Sequence, residues 1–256
     1  MVKFSANLGL LWSDRPLIEA VQAAHRAGFD AVECHWPYET PPEMLAQVLA
    51  ETGLLMLSLN TVRGDVSKGE NGLCAVPHRR NEAKAAIDQA LAYAVTANIP
   101  NIHVMAGVAT GDDAHDCFIN HLAYGCEQAV RCGKTILIEP LNHYDAPGYF
   151  LSDLDQALAI IKVVGAQNLK LMFDCYHIQI LHGDLTRALT RSFDVIGHIQ
   201  FASVPSRGAP DDGEVNYQHI FSHIASLGYQ APLGAEYHPD SGDSDASLGW
   251  LASYER

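Results

Sequence analysis

The chain has 256 residues, 48% of them hydrophobic, enough to bury one large core, and its length suits a single αβ barrel domain over residues 1–256. Its 30 Asp plus Glu against 16 Lys plus Arg leave a formal charge of −14. Such a field repels nucleic-acid phosphates, and the cations are spread too thinly to form a basic patch that would override it.

The N-terminus, M-V-K-F-S-A-N-L-G-L, reads as a strand and is too polar for a signal segment, so a cytoplasmic protein is expected. No apolar run approaches the roughly 18 residues of a membrane span. From there β-like and amphipathic helical runs alternate to the end of the chain. The strands are predicted at Lys3–Gly9, Ala31–Trp36, Leu54–Asn60, Asn101–Ala106, Thr135–Glu139, Lys170–Asp174, His198–Ala202 and Leu233–Tyr237. The helices are predicted at Pro16–Ala27, Pro42–Thr52, Asn81–Ala97, Ala114–Arg131, Leu154–Val164, Leu185–Arg191, Tyr217–Ser226 and Ala246–Tyr254. Asp14 ahead of Arg15-Pro16 has the order of an N-cap and a first-turn proline. Gly28, Gly53, Gly133, Gly165 and Gly228 each follow a helical run, where a left-handed residue would stop it. Eight such units, with no G-x-G-x-x-G after the first strand, favour a closed (β/α)8 TIM barrel over an open doubly wound sheet. The six cysteines include no C-x-x-C pair, which suits reduced thiols.

Two irregular stretches interrupt the alternation. Residues 60–78 follow the third strand, so in a barrel they would stand on the catalytic face as a lid. Residues 204–216 follow the seventh strand and carry Arg207, Asp211, Asp212 and Glu214.

The chemistry concentrates at strand ends. Glu139, Asp174, Gln200 and Glu236 each close an apolar run, and the steps from 139 to 174, 174 to 200 and 200 to 236 are each about one βα unit, so the four would share one rim. A single glutamate at a strand end is ordinarily a solvated rim residue; four at matching places suggest a common ligand. Three carboxylates and an amide oxygen form an all-oxygen set suited to Mg²⁺ or Mn²⁺ rather than zinc. His177, three residues past Asp174, and His198, two before Gln200, are within reach as donors to a substrate or a ligand. Arg207 beside an acidic rim would suit a substrate carboxylate or phosphate.

At these residues the chain resembles the hydroxypyruvate isomerase family of xylose-isomerase-like TIM barrels. The resemblance runs through F-S-A-N-L, G-E-N-G-L-C-A-V-P, I-H-V-M-A-G, L-I-E-P-L-N-H-Y-D-A-P-G-Y-F-L, F-D-C-Y-H-I-Q, G-H-I-Q-F-A-S-V-P-S-R-G-A-P-D-D-G-E-V-N-Y and G-A-E-Y-H-P, which together span essentially the whole chain. It implies a metal-dependent aldose-ketose isomerisation of a small hydroxy-carbonyl acid, hydroxypyruvate or a 2-oxo-tetronate, through an ene-diol. Glu139 and Glu236 would be metal ligands as well as the proton-transferring pair. Asp174 and Gln200 would complete the metal shell, and His177, His198 and Arg207 would line the substrate. Two segments depart from the family pattern: Arg207-Gly208-Ala209-Pro210, where R-G-E-P or R-H-E-P is usual, and Pro77-His78-Arg79-Arg80, where P-G-R-E is expected. Related members are ketose 3-epimerases, and a sugar-acid-binding barrel without turnover is the non-enzymatic alternative. A nuclease resembling endonuclease IV would need several histidine ligands and a basic groove. The exposed helix faces of a barrel leave room for homo-oligomer formation.

Overall fold

The computed structural model describes residues 2–239 and 242–254. Its elements in chain order are β1 (Phe4–Asn7), α1 (Leu17–Arg26), β2 (Ala31–Glu33), α2 (Pro42–Thr52), β3 (Leu55–Met56), β4 (Ser58–Asn60), α3 (Arg80–Thr96), β5 (Asn101–His103) and α4 (Asp112–Val130). The second half adds β6 (Thr135–Ile138), α5 (Leu154–Val164), β7 (Leu169–Asp174), α6 (Cys175–Leu181), α7 (Leu185–Ser192), β8 (Ile196–Phe201), α8 (Tyr217–Ser226) and β9 (Leu233–Ala235). The eight predicted strands all form.

All neighbouring strands pair in parallel, in the order β3-β2-β1-β9-β8-β7-β6-β5-β4. The two ends of that sheet are halves of one extended run. β3 pairs with β2 and β4 with β5, and Leu57 between them donates its N–H to the Val32 carbonyl at 2.7 Å. The run turns from one neighbour to the other at this point, and the sheet closes into an eight-stranded barrel with its helices outside.

Local sequence explains where the helices begin and end. Asp153 accepts the Gln156 N–H at 2.8 Å to cap α5, and Gly165 ends it at φ 66°. The five predicted stop glycines all have φ between 66° and 92°. Outward strand residues and inward helix residues form a continuous apolar layer, including an edge-to-face aromatic group in which Phe4 meets Phe201, Phe221 and Trp250 at 5.8, 5.4 and 5.0 Å.

Two local expectations are corrected and two features are added. Asp14 does not cap α1: Pro16 occupies the N-cap position with no side-chain bond to the helix. The run Ala246–Tyr254 forms two 3₁₀ turns, Asp245–Ser247 and Gly249–Ser253, because Gly249 and the neighbouring serines give an α-helix little to propagate on. Helix α6 is an addition to the predicted elements, a seven-residue helix capped by Asp174. Residues 60–78 are no loose insert: Gly72 bridges to Ala106, Leu73, Cys74 and Ala75 are buried, and Arg79 binds both Glu70 and Glu82. Arg79, the residue of Pro77–Arg80 that keeps the family pattern, thus supplies the ion pairs that anchor this segment to α3.

Candidate active site

Every staff of the barrel ends in a buried polar side chain: Asn7, Glu33, Asn60, His103, Glu139, Asp174, Gln200 and Glu236. The parallel register sets Asp174 beside Gln200 and Gln200 beside Gly234, and the Glu236 N–H binds the Phe201 carbonyl at 3.1 Å, which brings the last three onto one level. Glu139, Asp174, His177 and Glu236 can place one ligand atom each within 4.8 Å of one another. Three of the four predicted residues, Glu139, Asp174 and Glu236, therefore meet, with His177 among them, and Gln200 stands beside Asp174 in the strand register.

Their hydrogen-bonding leaves free oxygens. Asp174 spends Oδ1 on the Tyr176 N–H at 2.8 Å, capping α6, while its Oδ2 has no hydrogen-bond partner among the described residues. Glu139 Oε1 and Gln200 Oε1 are also buried without one. Unbonded buried oxygens are costly and ordinarily signal a missing partner. Those of Glu139 and Asp174, which meet Glu236 within 4.8 Å, fit a hard divalent cation, which this cluster could hold.

His177 takes a different role from the carboxylates. The Asn142 backbone N–H donates to its Nδ1 at 3.1 Å, with the Asn142 side-chain nitrogen 2.8 Å away. A backbone N–H can only donate, so Nδ1 accepts and the ring proton sits on Nε2, 3.7 Å from Asp174 Oδ2 and 3.9 Å from Glu139 Oε1. Burial, reinforced by Arg207, pushes the ring well below its ordinary range and keeps it neutral. In this tautomer His177 is an N–H donor into the site and offers no lone pair there.

Glu236 is clasped by donors: Asn7 Nδ2 at 2.9 Å, His35 Nε2 at 2.6 Å and Arg207 Nη2 at 3.0 Å. Burial would raise this carboxyl, but Arg207 and then His35 outweigh it and hold Glu236 below its usual range. Glu139 and Asp174 move oppositely: burial first, and the Glu236 carboxylate next, push both well upward in the metal-free chain.

Arg207 lies at φ 54° in the loop after β8, with its guanidinium 5.0 Å from the Tyr176 ring centre. Both terminal nitrogens are engaged, one with Glu236 and the other with Asp145 Oδ2 at 2.9 Å. His198 lies two residues deeper along β8, bonded through Nε2 to Glu33 Oε2 at 2.5 Å, and does not line the cavity. Glu33 also accepts from Gln200 Nε2 at 3.3 Å, which leaves the Gln200 oxygen as the end without a partner. His198, expected at the substrate, thus lies beneath the strand ends, away from the residues that line this cavity.

The cavity over this cluster measures about 140 Å³ and is lined by Glu139, His177, Arg207 and Glu236 together with His35, Trp36, Asn60, Arg63, Asn71, His103, Asp145 and apolar neighbours. That is far below the roughly 300–1,000 Å³ of drug-sized pockets and suits a molecule of a few carbons. His35, Arg63, His103 and Asn142 were not singled out in the sequence. The strand-end rule that found Glu139 would have found His103 and pointed to His35; Arg63 and Asn142 sit in loops without such a signal. His103, buried with neither ring nitrogen hydrogen-bonded, is pushed down to about 4 by burial and stands 3.6 Å from Glu139.

A model of the xylose isomerase-like TIM barrel family matches residues 21–254. The chain is 43% identical to a 2-oxo-tetronate isomerase of Cupriavidus necator, over 99% of each protein. It is 34% identical to the hydroxypyruvate isomerase of Escherichia coli, over 99% of this chain and 100% of that one. A crystal structure from Brucella melitensis, described as an AP endonuclease of family 2, matches with a TM-score of 0.95 at 36% identity and covers 100% of both chains. The chain thus belongs to the xylose isomerase-like TIM barrels and, within them, to the hydroxypyruvate isomerase family.

Proposed function

We propose that this isomerase interconverts a small hydroxy-carbonyl acid, hydroxypyruvate with tartronate semialdehyde or a 2-oxo-tetronate with its isomer, with Glu139 and Glu236 transferring the proton. The observation that carries the reading is the meeting of Glu139, Asp174 and Glu236 within 4.8 Å, with Gln200 paired beside Asp174 and three of these four holding a buried oxygen without a hydrogen-bond partner among the described residues, next to a cavity of about 140 Å³. Names of relatives at 34–43% identity support the same chemistry. Those four residues would hold Mg²⁺ or Mn²⁺, which when bound polarises the substrate carbonyl and hydroxyl and offsets the charge that develops on them.

The rest belongs to side chains. One of the two glutamates takes a proton from the carbon bearing the hydroxyl, giving an ene-diol, and the other returns a proton to the neighbouring carbon; the hydroxyl proton moves between the two oxygens. Neutral His177 presents its Nε2–H to a substrate oxygen as charge builds there. Arg207 holds Glu236 by Nη2 while Asp145 steadies Nη1, so its first task is to orient the glutamate.

A ketose 3-epimerase would use the same glutamates, but a cavity this small favours three- and four-carbon acids over hexoses. A phosphodiesterase reading, suggested by the description of the Brucella structure, fits poorly with a net charge of −14 and a cluster of carboxylates whose one histidine presents an N–H instead of a lone pair.

The reading is tested by incubating hydroxypyruvate, 2-oxo-tetronates and ketoses with the protein in D₂O with Mg²⁺ or Mn²⁺ and following deuterium uptake by proton NMR. Exchange is expected beside the carbonyl of the acids. Glu139→Gln and Glu236→Gln should each lower the rate by about 10²–10⁴-fold, and EDTA should abolish it reversibly. Full activity in both variants would end the acid-base assignment.

A further inference from the structure

The cavity is rich in carboxylates, yet the proposed substrate is itself an anion, so a cation must receive its carboxylate. Of the two arginines lining the cavity, Arg207 has both terminal nitrogens committed, to Glu236 and Asp145. Arg63 does not. It donates Nε to Asn71 Oδ1 at 2.9 Å, and among the described residues neither terminal nitrogen has a hydrogen bond or an ion pair. Resting on the sugar-acid reading of this cavity, we propose that Arg63 is the specificity residue that binds the substrate carboxylate through its two terminal nitrogens.

The surroundings of Arg63 prepare it for that task. Its guanidinium lies 4.8 Å from the centre of the Trp36 ring, and Trp36 is fixed by its indole N–H on the Thr61 carbonyl at 3.1 Å. Asn71 holds the third nitrogen, so the face turned from Asn71 is the end-on fork, which matches the two oxygens of a carboxylate. The backbone is closed around it: the Gly72 N–H returns to the Arg63 carbonyl at 2.8 Å, and Gly72 bridges to Ala106 above β5. A guanidinium already ordered loses little freedom on binding. The carboxylate at Arg63 then anchors one end of the substrate while the reacting carbons face Glu139 and Glu236, which line the same cavity.

The test is calorimetric titration of the full chain, with and without Mn²⁺, using a four-carbon aldonate and its matching alditol. The aldonate keeps the carboxylate and hydroxyls but has no carbonyl to react, and the alditol lacks the carboxylate. Wild type should prefer the acid by at least about tenfold, and Arg63→Met should cut that preference by about tenfold or more, with Arg63→Lys in between because it keeps the charge and loses the fork. A wild type without preference for the acid, or an Arg63→Met protein that keeps it, overturns the inference. The isomerase reading fails separately: if wild type turns over no hydroxy-carbonyl acid while Arg63→Met still loses the acid preference, the carboxylate site stands and the reaction does not.

Discussion

Glu139 and Asp174 are buried carboxyls whose neighbours include further carboxylates, so without a cation the folded state favours their protonated forms. A carboxyl raised by folding stabilises the native state below its unfolded pKa and loses that contribution as pH climbs through the folded value. His103 and His177, both lowered, act the other way and cost stability as pH falls below about 6.5. Saturating Mn²⁺ should therefore raise the melting temperature of EDTA-treated protein, and by more as pH rises above the ordinary carboxyl range of about 4, where the cation replaces protons on the cluster. Equal slopes with and without metal would show that the cluster is not a cation site. One level below, Gly234 has the same residue-scale logic: a Cβ there would lie 2.2 Å from Glu33 Oε1 and 2.9 Å from Gln200 Cγ, so only glycine lets Glu33 cross to hold the amide.

At the scale of elements, the segment between β4 and α3 is built onto the barrel rather than hinged from it. Gly72 and Gly107 cross with almost no clearance: a Cβ on Gly107 would meet the Gly72 carbonyl oxygen at 2.2 Å, and both residues have positive φ. Gly107→Ala should lift this segment and shift Arg63, which follows the same backbone pairing. Weaker binding of the substrate acid, together with faster amide exchange at Gly72–Ala75, is the expected result; unchanged exchange would mean that the crossing does not hold the segment. Helix α6 shows a related economy. Asp174 ends β7, caps the next helix with one oxygen and leaves the other to the buried cluster, so strand, helix and candidate site share one residue.

For the molecule as a whole, closure depends on apolar contact between the barrel's outer face and its last elements. Phe4 on β1 meets Phe201 on β8, Phe221 on α8, Trp250 and Tyr254, joining the beginning of the chain to its end. Phe4→Ala should cost about 3–5 kcal/mol and lower the melting temperature by roughly 10 °C, measured by calorimetry. A loss below 1 kcal/mol would mean that this seam does not hold the barrel shut. Among the described residues no helix is long and apolar enough to cross a membrane.

The sequence by itself determined the alternation of strands and helices, the helix stops and the polar residues at the strand ends. All of these follow from short-range rules: the period of apolar residues, the left-handed tolerance of glycine, and the fixed direction of a strand's last side chain. Helix α6 was not predicted: at seven residues it is too short to show a helical period, and only its cap by Asp174 marks it. Only the tertiary structure decided which side chain faces which. His198 sits two residues from Gln200 in sequence, yet it bonds Glu33 beneath the rim, because residues of the same strand face lie at successive depths in the barrel. Arg207 carries an arginine's usual promise for an anion, but Asp145 and Glu236, 62 and 29 residues distant, have already taken its terminal nitrogens. The free fork of Arg63, by contrast, exists only where Trp36 and Asn71 fold against it, and no local pattern in the sequence records that meeting.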